Sequence, residues 1–453
     1  VTMLGLALRS LRHRTGAFAA SFLAMFLGSA IIMAFASMLD TARASGATGT
    51  ARETLTIMAN VVGGWGLLLS VFAVASTLTL AVRQRAQEIA LLKSVGATPA
   101  QLRRMITGEA AGLAVVASLL GIVPAMLLGR GLLGLLHGTD QVPSEIGYSF
   151  GPVALSMGIG ITLVSAVAAA MITARRTTRV RVAEAMTDAA IGDGRMGRKR
   201  TVFAVLFLLA AVWEGVLTIT VMDGKGSDAM ATSGQADILA AIGLALLSPV
   251  IMRGATALAA GPLRAFGPAG EFAAATMRRR TSALASAVTP VILFVGTAVG
   301  TLFLQATENA AMDAAGLAKT AEQKSIETLN FVVIGMVVLF TAIMLVNTLI
   351  AAIAHRRREF GQTRLAGATP GQVLAAVGLE SAVLTVTGVL CGTVASVFTI
   401  VPFGLARRDS ATPDGSVWTY VAVVALAAVL TGATAHGAAR RAVRVPAVEA
   451  ALR

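Results

Sequence analysis

The sequence is short of charge. Only 13% of its 453 residues are Asp, Glu, Lys or Arg, against about 25% in an ordinary soluble domain. Most of the chain therefore faces something other than water. Aromatics make up 5%, so Ala, Val, Leu and Gly supply the apolarity of a composition that is 56% hydrophobic with mean hydropathy +0.78. Small residues in that abundance suit membrane helices whose backbones approach closely. The single cysteine, Cys391, lies inside an apolar run, which excludes an intrachain disulfide and a Cys/His metal cluster. The four histidines, His13, His137, His355 and His436, fall near the ends of apolar runs and read as solvated or interfacial. Despite a net charge of +14, no basic array interleaved with aromatics is present, so nucleic acid is not an expected partner. No carboxylate pair, Ser/His arrangement or Cys/His site supports catalysis.

Long apolar runs are what the chain has instead. A helix needs about 20 apolar residues to cross the hydrocarbon core. Ten runs qualify: 16–39, 57–82, 105–136, 150–174, 201–222, 236–258, 282–305, 329–354, 372–404 and 417–439. The run from Gly16 to Leu39 is long enough to span, and no cleavage pattern follows it, so the N-terminal segment reads as a spanning helix rather than a signal peptide. If the N-terminal tail and every second loop share one face, that face holds 29 of the 37 basic residues. The positive-inside rule then places both termini in the cytoplasm. Loops on the opposite face are short. The longest, 306–328, is acidic and helix-friendly, and a large extracytoplasmic domain is not expected.

Comparison of the chain with itself reveals a repeat. After the second run the sequence reads R-Q-R-A-Q-E-I-A-L-L-K-S-V-G-A-T-P-A-Q-L; after the eighth it reads H-R-R-R-E-F-G-Q-T-R-L-A-G-A-T-P-G-Q-V. A shift of 271 superposes Glu88 on Glu359, Gly96 on Gly367, Thr98 on Thr369, Pro99 on Pro370 and Glu109 on Glu380. The closing runs Arg175-Arg176-x-x-Arg179 and Arg440-Arg441-x-x-Arg444 agree, as do the entries Arg14-Thr15 and Arg280-Thr281. The expected fold is all-α and membrane-integral, with about ten transmembrane helices. They form two parallel four-helix units, 1–186 and 271–453, joined by a two-helix spacer at 187–270. An even number of intervening helices keeps the units in the same orientation.

The repeated loop has a local logic. Ile89, Leu91, Leu92 and Val95 share a short amphipathic helix, which Gly96 ends in a left-handed cap. Thr98 caps the next helix, with Pro99 in its first turn. Such a helix could merely anchor the bundle at the membrane surface, but two copies of one turn suggest two docking sites for a dimeric cytoplasmic partner. The pattern E-I-A-L-L-K-S-V-G-A-T-P-x-Q, with its following Glu and a closing A-R-R-x-x-R-V, resembles the FtsX-like permease domain of MacB-type ABC transporters over 57–186 and 329–452. The ten-helix layout looks like the bacitracin-resistance type.

That resemblance implies a permease subunit whose coupling helices each contact one cytoplasmic ATPase. The contact residues would be Glu88, Leu91, Leu92, Val95, Gly96, Thr98 and Pro99 in one copy, and Glu359, Leu365, Gly367, Thr369 and Pro370 in the other. In the second copy Phe360, Gly361, Gln362 and Thr363 replace a more apolar run, so the two contacts are expected to differ. The chain has no G-x-x-x-x-G-K-[ST] phosphate loop. ATP and Mg are accordingly expected on two copies of a separate ATPase, with no cofactor on this chain and the chain itself not an enzyme. The expected setting is a bacterial cell membrane, and the expected cargo a small amphipathic or hydrophobic molecule such as an antimicrobial peptide, lipid or drug. A signalling module that relays ATPase state without transport is the alternative. Glu214, beside Trp213, is the candidate intramembrane substrate contact. An ion-coupled transporter would need buried acids in several spans, and Glu214 is the one the sequence suggests.

Overall fold

The computed structural model describes residues 15–62, 71, 74, 78, 89, 91–92, 94–139, 141–179, 197–225, 229–316, 321–354 and 356–452. Among them there is no strand. Eight helices are long and apolar enough to cross a membrane, and they coincide with eight of the ten expected runs. Most of the run 57–82 lies outside the described residues, and 329–354 falls within a continuous helix, Ala321–Ala354. The chain groups into two compact units: Val1–Ala190 with Lys319–Met336, and Ile191–Ala318 with Val337–Arg453.

The first unit contains α1 (Thr15–Ala44), α2 (Gly49–Ile57) leading into a π-turn at Met58–Val62, α3 (Pro99–Gly138) and α4 (Pro152–Arg179). α1 is the central helix, with 72% of its most apolar window buried, against 33% for α3 and for α4. Its Ser29, Met33 and Ser37 lie one above another at four-residue spacing and meet glycines. A Cβ at Gly121 would fall 2.7 Å from Ser29 Oγ, one at Gly129 2.8 Å from Ser37 Oγ, and one at Gly158 within 2.1 Å of Met33 Cγ. Any larger residue at these glycines would push the helices apart, which is how small residues specify packing inside a membrane. At the end of the unit far from the G-A-T-P turn, Asp40 is buried, and its carboxylate accepts hydrogen bonds from the backbone N–H groups of Gly151, Val153 and Ala154 at 3.0, 3.2 and 2.8 Å. One acid on α1 thereby satisfies donors at the start of α4 that would otherwise lack partners.

The second unit contains α5 (Arg198–Thr220), α6 (Ala229–Arg264), α7 (Gly267–Arg279), α8 (Thr281–Ala314), α10 (Arg357–Leu365), α11 (Pro370–Arg408), α12 (Val417–Val443) and α13 (Ala447–Leu452), while α9 (Ala321–Ala354) begins in the first unit and ends in the second. α8, the repeat counterpart of α1, is again central, with 78% of its window buried. Its Val288, Val291, Ile292, Val295 and Val299 form the core. Gly388 and Gly392 of α11 let that helix close on Val291 and Val295, since a Cβ at either would lie 2.6 Å from the valine Cβ. The spacer helices α5 and α6 pack with α8 and α11.

Three elements differ from expectation. The expected span 236–258 is the middle of a 36-residue helix, α6. The basic connection after it contains α7, a 13-residue helix ending in Arg278 and Arg279. α7 is too short and too polar to register as a span, yet it buries Ala273, Ala274 and Met277 on one side. The expected outer loop 306–328 is largely the ends of α8 and α9.

Candidate functional site

Both copies of the repeated turn fold as their chemistry dictates. In the first, the Ala97 N–H bonds the Leu92 carbonyl at 2.9 Å and Gly96 has φ +96°, which together make the six-to-one bond and left-handed residue of a Schellman cap. In the second, Ala368 N–H bonds the Thr363 carbonyl at 3.1 Å, Gly367 N–H bonds the Arg364 carbonyl at 3.1 Å, and Gly367 has φ +103°. The next helix then starts in the same way twice. Gln101 N–H donates to Thr98 Oγ1 at 3.3 Å while Thr98 N–H donates to Gln101 Oε1 at 2.9 Å. Thr369 and Gln372 repeat the exchange at 3.2 and 2.9 Å. These are reciprocal capping boxes with Pro99 and Pro370 at the first helical position, where a missing N–H costs nothing.

The copies agree on the inside and differ on the outside. Ile89 and its counterpart Phe360 are buried, 4% and 1% exposed. Ile89 packs with Leu102 and Ile106, and Phe360 with Ile353, Val373 and Val377. Outward, Leu91, Leu92 and Val95 are 66, 41 and 87% exposed, whereas their counterparts by the same shift are Gln362, Thr363 and Ala366. In the second copy Leu365 is the large apolar residue left in the open. Glu88 lies outside the described residues.

Glu359, expected at the partner contact, is engaged within the protein. It bonds Arg280 at 2.8 Å and Arg356 at 3.4 Å. Arg356 is buried, stacks over the Phe360 ring with its Cζ 4.8 Å from the centroid, and forms a two-pronged pair with Glu380, Nη2 to Oε1 at 3.0 Å and Nη1 to Oε2. Burial alone would lower the Arg356 pKa, but the carboxylates of Glu380 and Glu359 outweigh it and raise the pKa above the ordinary arginine value. Beside this chain of charges is a cavity of about 50 Å³ lined by Arg280, Leu284, Leu349, Arg356, Val377 and Glu380. Arg364 further ties α10 to the end of α12 by donating to the carbonyls of Val443 and Val445 at 2.9 and 2.8 Å. The second turn is thus fastened to the α7–α8 junction, to α11 and to the end of α12. Glu109, the counterpart of Glu380, is also buried.

Glu214 is half-buried on α5 beside the exposed Trp213. At the far end of the first unit, α3 and α9 enclose an open groove of about 600 Å³, with Leu135, Phe331 and Val332 beside Thr139, Lys324 and Glu327. Gln141 braces it, donating to Thr139 Oγ1 and Thr328 Oγ1 at 2.8 and 3.0 Å.

Sequence reasoning had Arg280 only as a landmark of the repeat, and it missed Arg356 and Asp237. The last is a buried acid on α6, so Glu214 is not the only intramembrane candidate. The repeat carried a signal for the inward anchor, because Phe360 falls on Ile89. It carried none for Arg356, one of three consecutive arginines.

Fold and turns define a multi-pass helical membrane protein built on a duplicated module with one capped turn per copy. Residues 60–181 and 331–447 each match the family described as FtsX-like permease C-terminal. The two matches together cover more than half of the chain, and the chain belongs to that family. It is also similar to a protein of Bacillus subtilis (strain 168) named ABC transporter permease YtrF, at 28% identity over 133 residues. That similarity covers 28% of this chain and 30% of the relative's own length.

Proposed function

We propose that the chain is the membrane-spanning permease subunit of an ABC transporter, with a separate cytoplasmic ATPase seated on each G-A-T-P turn. The observation that carries this reading is the pair of structured turns, braced from inside by Ile89 and Phe360, one of which offers Leu91, Leu92 and Val95 to the surroundings. Three large aliphatic side chains on one rigid turn form a ready contact, since burying each is worth about 1.5–3 kcal/mol. The YtrF name and the match to the permease family over both turns support it. ATP and Mg belong to the ATPases in this reading, and the positive-inside bias puts the turns and both termini in the cytoplasm.

ATP binding would draw two ATPase copies together and displace the turns. The Glu359–Arg356–Glu380 chain would carry that displacement from the second turn into α11. The substrate is an amphipathic molecule extracted from or exported across the bilayer. The groove of Leu135, Phe331, Lys324 and Glu327 supports that class, since it sets an apolar wall beside charged groups.

The test is co-purification with the cognate ATPase and measurement of its stimulation. Leu91→Asp with Val95→Asp should abolish both the complex and the stimulation while the permease still folds in detergent. An intact, stimulated complex would refute the docking reading. Stimulation by the wild type in vesicles with no movement of any amphipathic probe would favour a signalling module instead.

A further inference from the structure

Asp237 is the least expected charge-bearing group in the described structure. It lies on α6, eight residues into the helix, roughly 12 Å along its axis from the end remote from the turns. It is 2% exposed, and its Oδ1 has no hydrogen-bond partner among the described residues. Its carboxyl group rests on a glycine face of α8. A Cβ at Gly300 would lie 2.6 Å from Oδ2 and 2.9 Å from Cγ, and a Cβ at Gly296 3.4 Å from Oδ1. Ala241 and Ala395 close the same spot, 3.3 and 3.2 Å from the Gly296 position. The α8 surface is therefore shaped to receive this acid and leaves no room for a solvation shell.

Among the described residues, the groups on the helices packed against it offer no counter-charge. From α5 comes Glu214. The Thr218–Thr232 hydrogen bond at 2.9 Å fixes the antiparallel register of α5 and α6, and one turn inward from it Glu214 and Asp237 reach about the same depth. From α8 the next titratable group is Glu308, two turns toward the far end and paired with Arg407 at 2.7 Å. α11 contributes Cys391 and that same Arg407. On α6 itself the nearest charge is Arg253, sixteen residues on. An ionised carboxylate in a dry helix contact without a cation is costly, and such groups inside membranes mark proton or ion pathways.

We propose that Asp237 is a proton-binding site, and that its protonation closes α6 on the Gly296–Gly300 face of α8. In the closed packing the group is the neutral acid. When the helices part, water enters, the carboxyl O–H bond breaks, the proton passes to that water and the electron pair stays on the carboxylate. Closing reverses the step. The spacer helices then act as a proton-linked latch, a role independent of the ATPase reading because it belongs to the permease alone.

The experiment is thermal unfolding of the purified full chain in detergent as a function of pH, for the wild type, Asp237→Asn and Glu214→Gln. A site that holds its proton in the folded state and releases it in the unfolded state loses stability as pH rises above the ordinary carboxylate range. The wild type and Glu214→Gln should therefore become less stable relative to Asp237→Asn with increasing pH, and Asp237→Asn, an isostere of the neutral acid, should lack that component. Parallel profiles for the wild type and Asp237→Asn would overturn the proposal. The contact is tested separately. Gly300→Ala should lower the unfolding midpoint in the wild type and much less in Asp237→Ala, where the clashing carboxyl is gone. An equal effect in both would also overturn it.

Discussion

At the scale of single residues, a buried ion pair ties the second turn to α11. Arg356 and Glu380 are each less than a tenth exposed and bond through both prongs of the guanidinium. Removing one partner leaves the other buried and uncompensated, a loss of about 3–5 kcal/mol. Glu380→Ala or Arg356→Ala should therefore lower the thermal unfolding midpoint sharply in detergent, while replacing both by Met should cost much less. If the single and double changes cost the same, the pair is not coupled. The sequence showed half of this. Glu109 and Glu380 were legible as matched acids just inside the turns, each expected to pair with a nearby arginine such as Arg104, but Arg356 as the partner of Glu380 was not. H-R-R-R offers three guanidinium groups, and only the packing of Phe360 selects Arg356. Asp237 was hidden for a different reason. It stands at the start of the expected run 236–258, where an acid reads as the solvated end of a helix, whereas the helix begins eight residues earlier.

At the scale of elements, what was legible is what is local. A Schellman glycine, a threonine cap with its glutamine, and a proline at the first position act within six residues, so sequence alone specifies the turn. The long spans were legible for a similar reason, because each is set by its own composition. α7 was not: its apolar side is 13 residues long, and only the neighbouring helices make burial of Met277 worthwhile. The glycines yield the prediction at this scale. With φ +96° and +103°, Gly96 and Gly367 sit where a side chain costs about 1–2 kcal/mol, and no atom crowds either position. Gly96→Ala and Gly367→Ala should each speed hydrogen exchange of the amides of Ala97 and Ala368, the cap donors, by about tenfold. The rest of each unit should keep its protection. Uniform loss of protection across the unit would mean that the caps are not locally independent.

At the scale of the whole molecule, duplication has produced two turns with the same frame and different faces. The inward anchors Ile89 and Phe360, the caps and the buried acids Glu109 and Glu380 are shared. The outward positions have diverged, from Leu91, Leu92 and Val95 to Gln362, Thr363 and Ala366. If each turn seats one copy of the same ATPase, as proposed, two like frames with unlike faces would hold the two copies unequally. One would be held through aliphatic burial, and the other through Leu365 and polar contacts. Each aliphatic side chain buried in such a contact contributes about 1.5–3 kcal/mol, and every 1.4 kcal/mol is tenfold in affinity. Titrating the ATPase onto the wild-type permease should accordingly resolve a tight and a weak site. Transplanting the first face onto the second, with Gln362→Leu, Thr363→Leu and Ala366→Val, should tighten the weak site by tenfold or more and leave the strong one unchanged. The transplant should also slow turnover, because a turn that cannot release its subunit cannot follow the ATPase through a cycle. Equal affinities in the wild type, or no response of the weak site to the transplant, would mean that the contact lies elsewhere on the turns.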